Sequence, residues 1–299
     1  MNLSVDGAFI YFTIPIFGGI PITQTTVSHL IVTIFLCVAS ILLGKNLKKR
    51  PGGVQVLVEN GVMMLQNMVA DSMGAHNVLW TPFIGTIFLS SLCGSFIGLT
   101  GFFRSSTADL SCTLVWALMV SLIIWYNKIK NNGFVGWLKG FTEPIVVMPP
   151  MNIISEIAQP VSMAFRHFGN LAGGGVITSL IYTSLALASS ALINLVTASG
   201  WIPSVILLAL GAGLVFLWKK NGKKLPLVFG ILSAVVGFAG ILHVTGIFPD
   251  FPFLTYGIPA VLSCYFDLFS GFVQAYVFTL LTMVYIAGSL PEPEEAQAA

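Results

Sequence analysis

The stretch "PVSMAFRHFGNLAGGGV", Pro160 to Val176, carries one arginine, Arg166, in a run of apolar and small residues that leads directly into a long apolar segment. Its surroundings decide the class of fold. The 299-residue chain is 56% hydrophobic and 8% charged, with a mean hydropathy of +0.92. A soluble domain carries roughly 25% charged residues, so too little charge is present to solvate a globular surface of this size, and lipid is the solvent over most of the chain. A spanning helix needs about 20 mostly apolar residues. Segments of that kind lie at roughly 26–44, 79–100, 110–126, 174–197, 203–218, 226–247 and 255–288. The expected fold is therefore an all-α polytopic membrane protein with about seven crossings, the last long enough to tilt steeply.

Between the first two crossings, "VQVLVENGVMMLQNMVADSMG" (54–74) interrupts an apolar pattern with Glu59, Gln66 and Asp71. It reads as an amphipathic helix, interfacial or buried in protein, rather than as a span. The chain reads as a single membrane domain, 1–299, without soluble domain boundaries, repeats or low-complexity tracts beyond a short acidic tail, 289–299. The start lacks the basic region of a secretory signal, and the first apolar run is followed by Lys45, Lys48, Lys49 and Arg50 rather than a small-residue cleavage site, so it is expected to stay uncleaved.

Basic residues gather in cytoplasmic loops. Lys45 to Arg50, then Lys128, Lys130 and Lys139, then Lys219, Lys220, Lys223 and Lys224 all fall on one side if the N-terminus is outside and the tail with Glu292, Glu294 and Glu295 is inside. Arg104, Asp109 and Asp250 then face out. The net charge of +2 is too small to imply a nucleic acid or an acidic substrate. Cys37, Cys93, Cys112 and Cys264 are scattered in apolar runs with no CxxC pair, and read as small core residues, not disulfides or metal ligands. P-loop, HExxH, GxSxG and dinucleotide patterns are all absent, and no cofactor or metal is called for.

Ionisable side chains at membrane depth cost on the order of 2.5–3.5 kcal/mol on insertion scales and mark ion paths or partners. Glu156, Arg166 and Asp267 qualify by position. Helical spacing aligns Ser162, Arg166 and Asn170 on one stripe, with Gly173 close to it, and places Asp267, Ser270, Gly271 and Gln274 on another. The two seams suggest helices that face each other or share an aqueous cavity, and the small residues of "GNLAGGGV" allow a further helix to approach closely. On spacing alone, Arg166 could instead neutralise Glu156 or Asp267, and Asn170 and Gln274 could serve packing alone. His167, about 100° around the helix from Arg166, reads as a packing residue.

These segments resemble subunit a of the F-type ATP synthases. The resemblance rests on "EIAQPVSMAFRHFGN" (156–170) and "QAYVFTLLTMVYI" (274–286), and more weakly on "STADLSCTLVWAL" (106–118) and "WLKGFTEP" (137–144), in the family's order. It implies a long tilted helical hairpin facing the rotating c-ring, with the stator stalk subunit b and the rest of the complex as further partners, in a bacterial plasma membrane. Arg166 then matches the family's essential arginine, Asn170 and Ser162 its polar neighbours, and Gln274 the glutamine opposite it. A guanidinium stays charged and lowers the pKa of a nearby carboxylate. The resemblance thus makes Arg166 the separator of two offset half-channels, with no catalysis by this chain alone.

Two departures from the family pattern stand out. Nine residues after the arginine, where the family carries Glu or His, stands Gly175, which leaves Asp267 as the expected relay of the outer half-channel and Glu156 as a lining group of the inner one. About fifty residues, 200–252, are added between the two motifs and read as an inserted helical hairpin. Coupling to H⁺ or to Na⁺ stays open, since the resemblance assigns that choice mainly to the ring. A rival reading from a different class is an independent secondary transporter that uses Arg166 to bind an anionic substrate.

Overall fold

A computed structural model describes residues 9–15, 19–45, 47–50, 52–100, 102–142, 148–221, 224–246, 253–255, 261–262 and 264–291. It is an all-α polytopic membrane protein with, among the described residues, seven helices long and apolar enough to cross a bilayer. One short antiparallel hairpin, β1 (Ile10–Ile14) with β2 (Ile20–Thr23), precedes the first helix. Its β-branched and aromatic residues favour extended backbone, a signal too short to stand out beside the apolar runs.

The helices are α1 (Gln24–Gly44), α2 (Gly53–Met73), α3 (Thr81–Phe96), α4 (Leu110–Gly140), α5 (Pro149–Thr197), α6 (Ile202–Asn221), α7 (Lys224–Val244) and α8 (Gly271–Ala287). A 3₁₀ segment, Ala75–Trp80, leads into α3, and a π-helical turn, Tyr265–Ser270, leads into α8. Local chemistry sets several boundaries. Thr23 caps α1 by accepting from Thr26 N at 3.3 Å, and Asp109 caps α4 by accepting from Ser111 N at 2.9 Å. Inside α4, Gly133 sits at φ 71, so the helix kinks there and the "WLKGFTEP" segment begins as helix; its residues 143–144 lie outside those described.

The helix bearing Arg166 begins far earlier than its apolar run does. At about 1.5 Å per residue, the 49 residues of α5 extend on the order of 70 Å, more than twice the ~30 Å hydrocarbon core. It therefore does not cross upright along its whole length. Pro160 lies inside it and is tolerated, as prolines in membrane helices are when neighbouring groups satisfy the freed backbone.

The chain divides into two compact units: residues 1–174 with 264–299, and residues 175–263. In the first, α2, α3, α4, α5 and α8 share a core of Val69, Ile84, Trp116, Val120, Met163 and Phe278. Gly174 on α5 has no room for a Cβ, which would lie 2.7 Å from the Phe266 ring, so that ring of the π turn packs directly on the α5 backbone. In the second unit, α6 and α7 run antiparallel, Ser204 meeting Gly240 and Gly211 meeting Ala234. A Cβ at Gly237 would lie 2.7 Å from both Leu208 N and Ser204 O. This is the small-residue contact by which helices associate in lipid. Large apolar side chains such as Phe35, Leu42, Phe216 and Phe229 point outward on both units, as lipid rather than water requires.

Candidate functional site

Along α5 the buried and exposed positions separate cleanly. Met163, Ala164, His167 and Leu171 face the core, whereas Ser162, Arg166 and Asn170 are exposed on the opposite side. The spacing argument for that stripe holds in the structure, and Asn170 Nδ2 donates to the Arg166 carbonyl at 3.3 Å. No carboxylate among the described residues forms a salt bridge with Arg166.

Glu156 has a different partner from the ones its sequence position suggests. Lys128 Nζ, on α4, donates to Glu156 Oε1 at 2.8 Å and Oε2 at 3.1 Å. The pair is half-buried and sits in a cleft of 790 Å³ lined also by Asn131, Trp137, Asn152 and Ser289. Asn131 Nδ2 donates to the Ser289 carbonyl at 2.9 Å, and Asn152 Nδ2 to the Phe141 carbonyl at 2.7 Å, which ties α4, α5 and the end of α8 around this cleft. Ten residues separate Glu156 from Arg166, about 15 Å along a helix.

Asp267 and Gln274 are both half-buried, but an unbroken helical stripe does not connect them. Asp267 stands in the π turn, whose wider winding changes the phase between it and α8. The i, i+3, i+7 seam read from the sequence is therefore interrupted, because α-helical spacing applies only from Gly271 onward. Gln274 Oε1 is buried without a hydrogen-bond partner among the described residues.

A group that sequence reasoning assigned to packing is the most buried polar feature near the arginine. His167, 2% exposed, lies between Trp116 and Phe278, with ring centroids 6.3 and 5.5 Å away. Its Nε2 meets Ser91 Oγ at 3.1 Å, and its Nδ1 has no side-chain hydrogen-bond partner among the described residues. One turn along α3, Ser95 Oγ donates to the Ser91 carbonyl at 3.0 Å and contacts Thr107 Oγ1 at 3.0 Å; Thr107 in turn contacts Ser105 Oγ at 2.9 Å. Ser91, Ser95 and Thr107 are fully buried and Ser105 nearly so. The serines at i and i+4 inside an apolar run were the available sequence signal for this cluster. Nearby, Thr25 Oγ1 donates to Asp109 Oδ2 at 2.6 Å, fastening α1 to the start of α4.

The cluster at Ser105 to Asp109 and the Lys128–Glu156 cleft belong to opposite ends of α4. The 18 residues from Leu110 to Lys128 rise about 27 Å, close to a bilayer's hydrocarbon thickness. The sequence profile described as ATP synthase A chain matches residues 25–217. The chain belongs to that family.

Among curated relatives of this A chain, the sodium ion specific ATP synthase subunit a of Propionigenium modestum is 28% identical over 291 residues, covering 92% of this chain and 77% of the relative. ATP synthase subunit a 1 of Crocosphaera subtropica is 29% identical over 273 residues, with 91% and 88% covered. ATP synthase subunit a 3 of Pelobacter propionicus is 28% identical over 261 residues, with 86% and 83% covered.

Proposed function

We propose that this A chain is the ion-translocating stator subunit of a rotary ATP synthase, offering two offset half-channels to the carboxylates of a c-ring while Arg166 prevents direct leak between them. The observation that carries this reading is the outward stripe of Ser162, Arg166 and Asn170 on a membrane helix. A guanidinium facing hydrocarbon is costly, so the stripe calls for a partner bearing compensating acid. A ring of membrane helices with carboxylates at mid-depth supplies it. Each carboxylate passing Arg166 is held in its ionised form, and a free cation is repelled from the short path between the half-channels.

Glu156, in the cleft of 790 Å³, serves the inner half-channel in this reading; Asp267 and Gln274 serve the outer one. The N-terminus lies outside and the tail inside, in a bacterial plasma membrane, with stalk subunit b as a further partner. The chain is not catalytic by itself. Family membership favours the stator over an independent transporter.

The test is ATP-driven ion pumping in vesicles carrying the assembled complex, with assembly scored in parallel. Arg166→Ala is expected to abolish pumping with assembly intact, and Asp267→Ala to lower it roughly tenfold or more. Undiminished pumping in Arg166→Ala overturns the separator role.

A further inference from the structure

A cation path needs a polar lining, and most of the cleft of 790 Å³ supplies one without charge, through Asn131, Asn152, Ser155 and Ser289. Two charged side chains stand among them: Lys128 on α4 and Glu156 on α5, the only two among the described lining residues. They cancel. Lys128 Nζ lies 2.8 and 3.1 Å from the two carboxylate oxygens, bridging both as a bound monovalent cation would. Lys130 and Lys139, on the same helix, are exposed and do not line the cleft.

The cleft opens toward the arginine. Ser155 lines it and begins a stripe on α5, for Ser155, Gln159, Ser162 and Arg166 are spaced i, i+4, i+7 and i+11, and none of the four is buried. An ion at the start of that stripe feels whatever charge the cleft carries. One unit charge 4 Å away changes the local concentration of a monovalent cation about fivefold even at the dielectric constant of water, and by more in a half-buried cleft. Glu156 alone would gather cations and hold them, and Lys128 alone would repel them. Two apolar side chains in their place would be neutral but would dry the lining that a hydrated ion crosses.

We propose that Lys128 is a tethered counter-ion of the inner half-channel: by occupying Glu156 it leaves the cleft polar but uncharged, so that the transported cation passes to the stripe of Ser155, Gln159, Ser162 and Arg166 without being gathered or held. This rests on the stator reading above. Lys128 acts through Glu156 and is a positioning residue. In the orientation given above, ions enter through this cleft during ATP-driven pumping, so its net charge sets the bulk ion concentration at which the ring loads.

The experiment is ATP-driven pumping by inverted vesicles carrying the assembled complex, whose cytoplasmic face is then outside. Initial rates are followed against sodium ion concentration, with choline holding the ionic strength constant, and against pH in sodium-free buffer; the ion that drives the complex gives a midpoint. Lys128→Met removes the positive charge and is expected to move that midpoint roughly three- to tenfold toward lower ion concentration, with a lower maximal rate because held ions leave slowly. Glu156→Gln removes the negative charge and is expected to move it about as far toward higher concentration. With both substitutions the midpoint returns toward the wild-type value. In about 1 M choline chloride, where the Debye length is about 3 Å, both single-variant shifts shrink. A role in packing alone lowers the rates of the two single variants without moving their midpoints in opposite directions. If one single variant does not assemble, the other measured against the double variant decides the sign. Unmoved midpoints, or movement in the same direction in both, overturn the counter-ion role; loss of pumping in Arg166→Ala in the same vesicles still upholds the stator reading.

Discussion

Lys128 and Glu156 form the one salt bridge among the described residues, and it stands in a cleft rather than on an open surface. With relative side-chain exposures of 31% and 17%, the pair lies between a solvated bridge, worth about 0–1 kcal/mol, and a buried one whose rupture costs about 3–5 kcal/mol. Lys128→Met alone strands a half-buried carboxylate, whereas Lys128→Met with Glu156→Gln removes both charges. The double variant is expected to be more stable than the Lys128→Met single variant by about 1 kcal/mol, read as thermal stability of the purified complex. Additive losses would make the two charges independent. Neither the 28-residue separation nor the local pattern reveals this pairing, because it depends on how α4 and α5 are laid side by side.

At the scale of helices, glycines do the work that charge and hydrogen bonding do in water. Lipid tails are as apolar as leucine, so helix association depends on close van der Waals packing and small residues at the contact. Gly237 against Leu208 and Ser204 is such a point. Gly237→Val is expected to destabilise the α6–α7 pair by about 1–3 kcal/mol through overpacking, seen as faster proteolysis of the 200–252 region in detergent. An unchanged digestion pattern would mean that this contact is not what holds the pair. At this scale the sequence was legible in its apolar lengths but not in its boundaries. Residues 149–173 belong to α5 although their polar groups break the apolar run, and the π turn at Tyr265–Ser270 shifts a stripe that α-helical spacing draws as continuous.

For the whole molecule, the distribution of lysines and arginines against the apolar segments sets a checkable orientation. In a background with the four natural cysteines replaced, Ala299→Cys is expected to react with a membrane-impermeant maleimide in inverted vesicles and not in intact cells. Ser106→Cys is a poor reporter of the other side because Ser106 is fully buried, so Phe102→Cys, at an 84% exposed position, takes its place with the opposite pattern expected. Labelling of both from one side would reverse or break the topology.

By itself the sequence determined that the chain lives in lipid, that it crosses about seven times, and that Arg166 with Ser162 and Asn170 shares one helical face, because hydropathy, length and a 3.6-residue period are local properties. Its motifs also pointed to the family. Tertiary structure alone decided which groups meet: Lys128 with Glu156, and Ser91 with His167. Such partners lie 28 and 76 residues apart in the chain, and their contact depends on which faces neighbouring helices turn toward one another. That choice is made by packing of small and large side chains across the interface, which no single segment encodes.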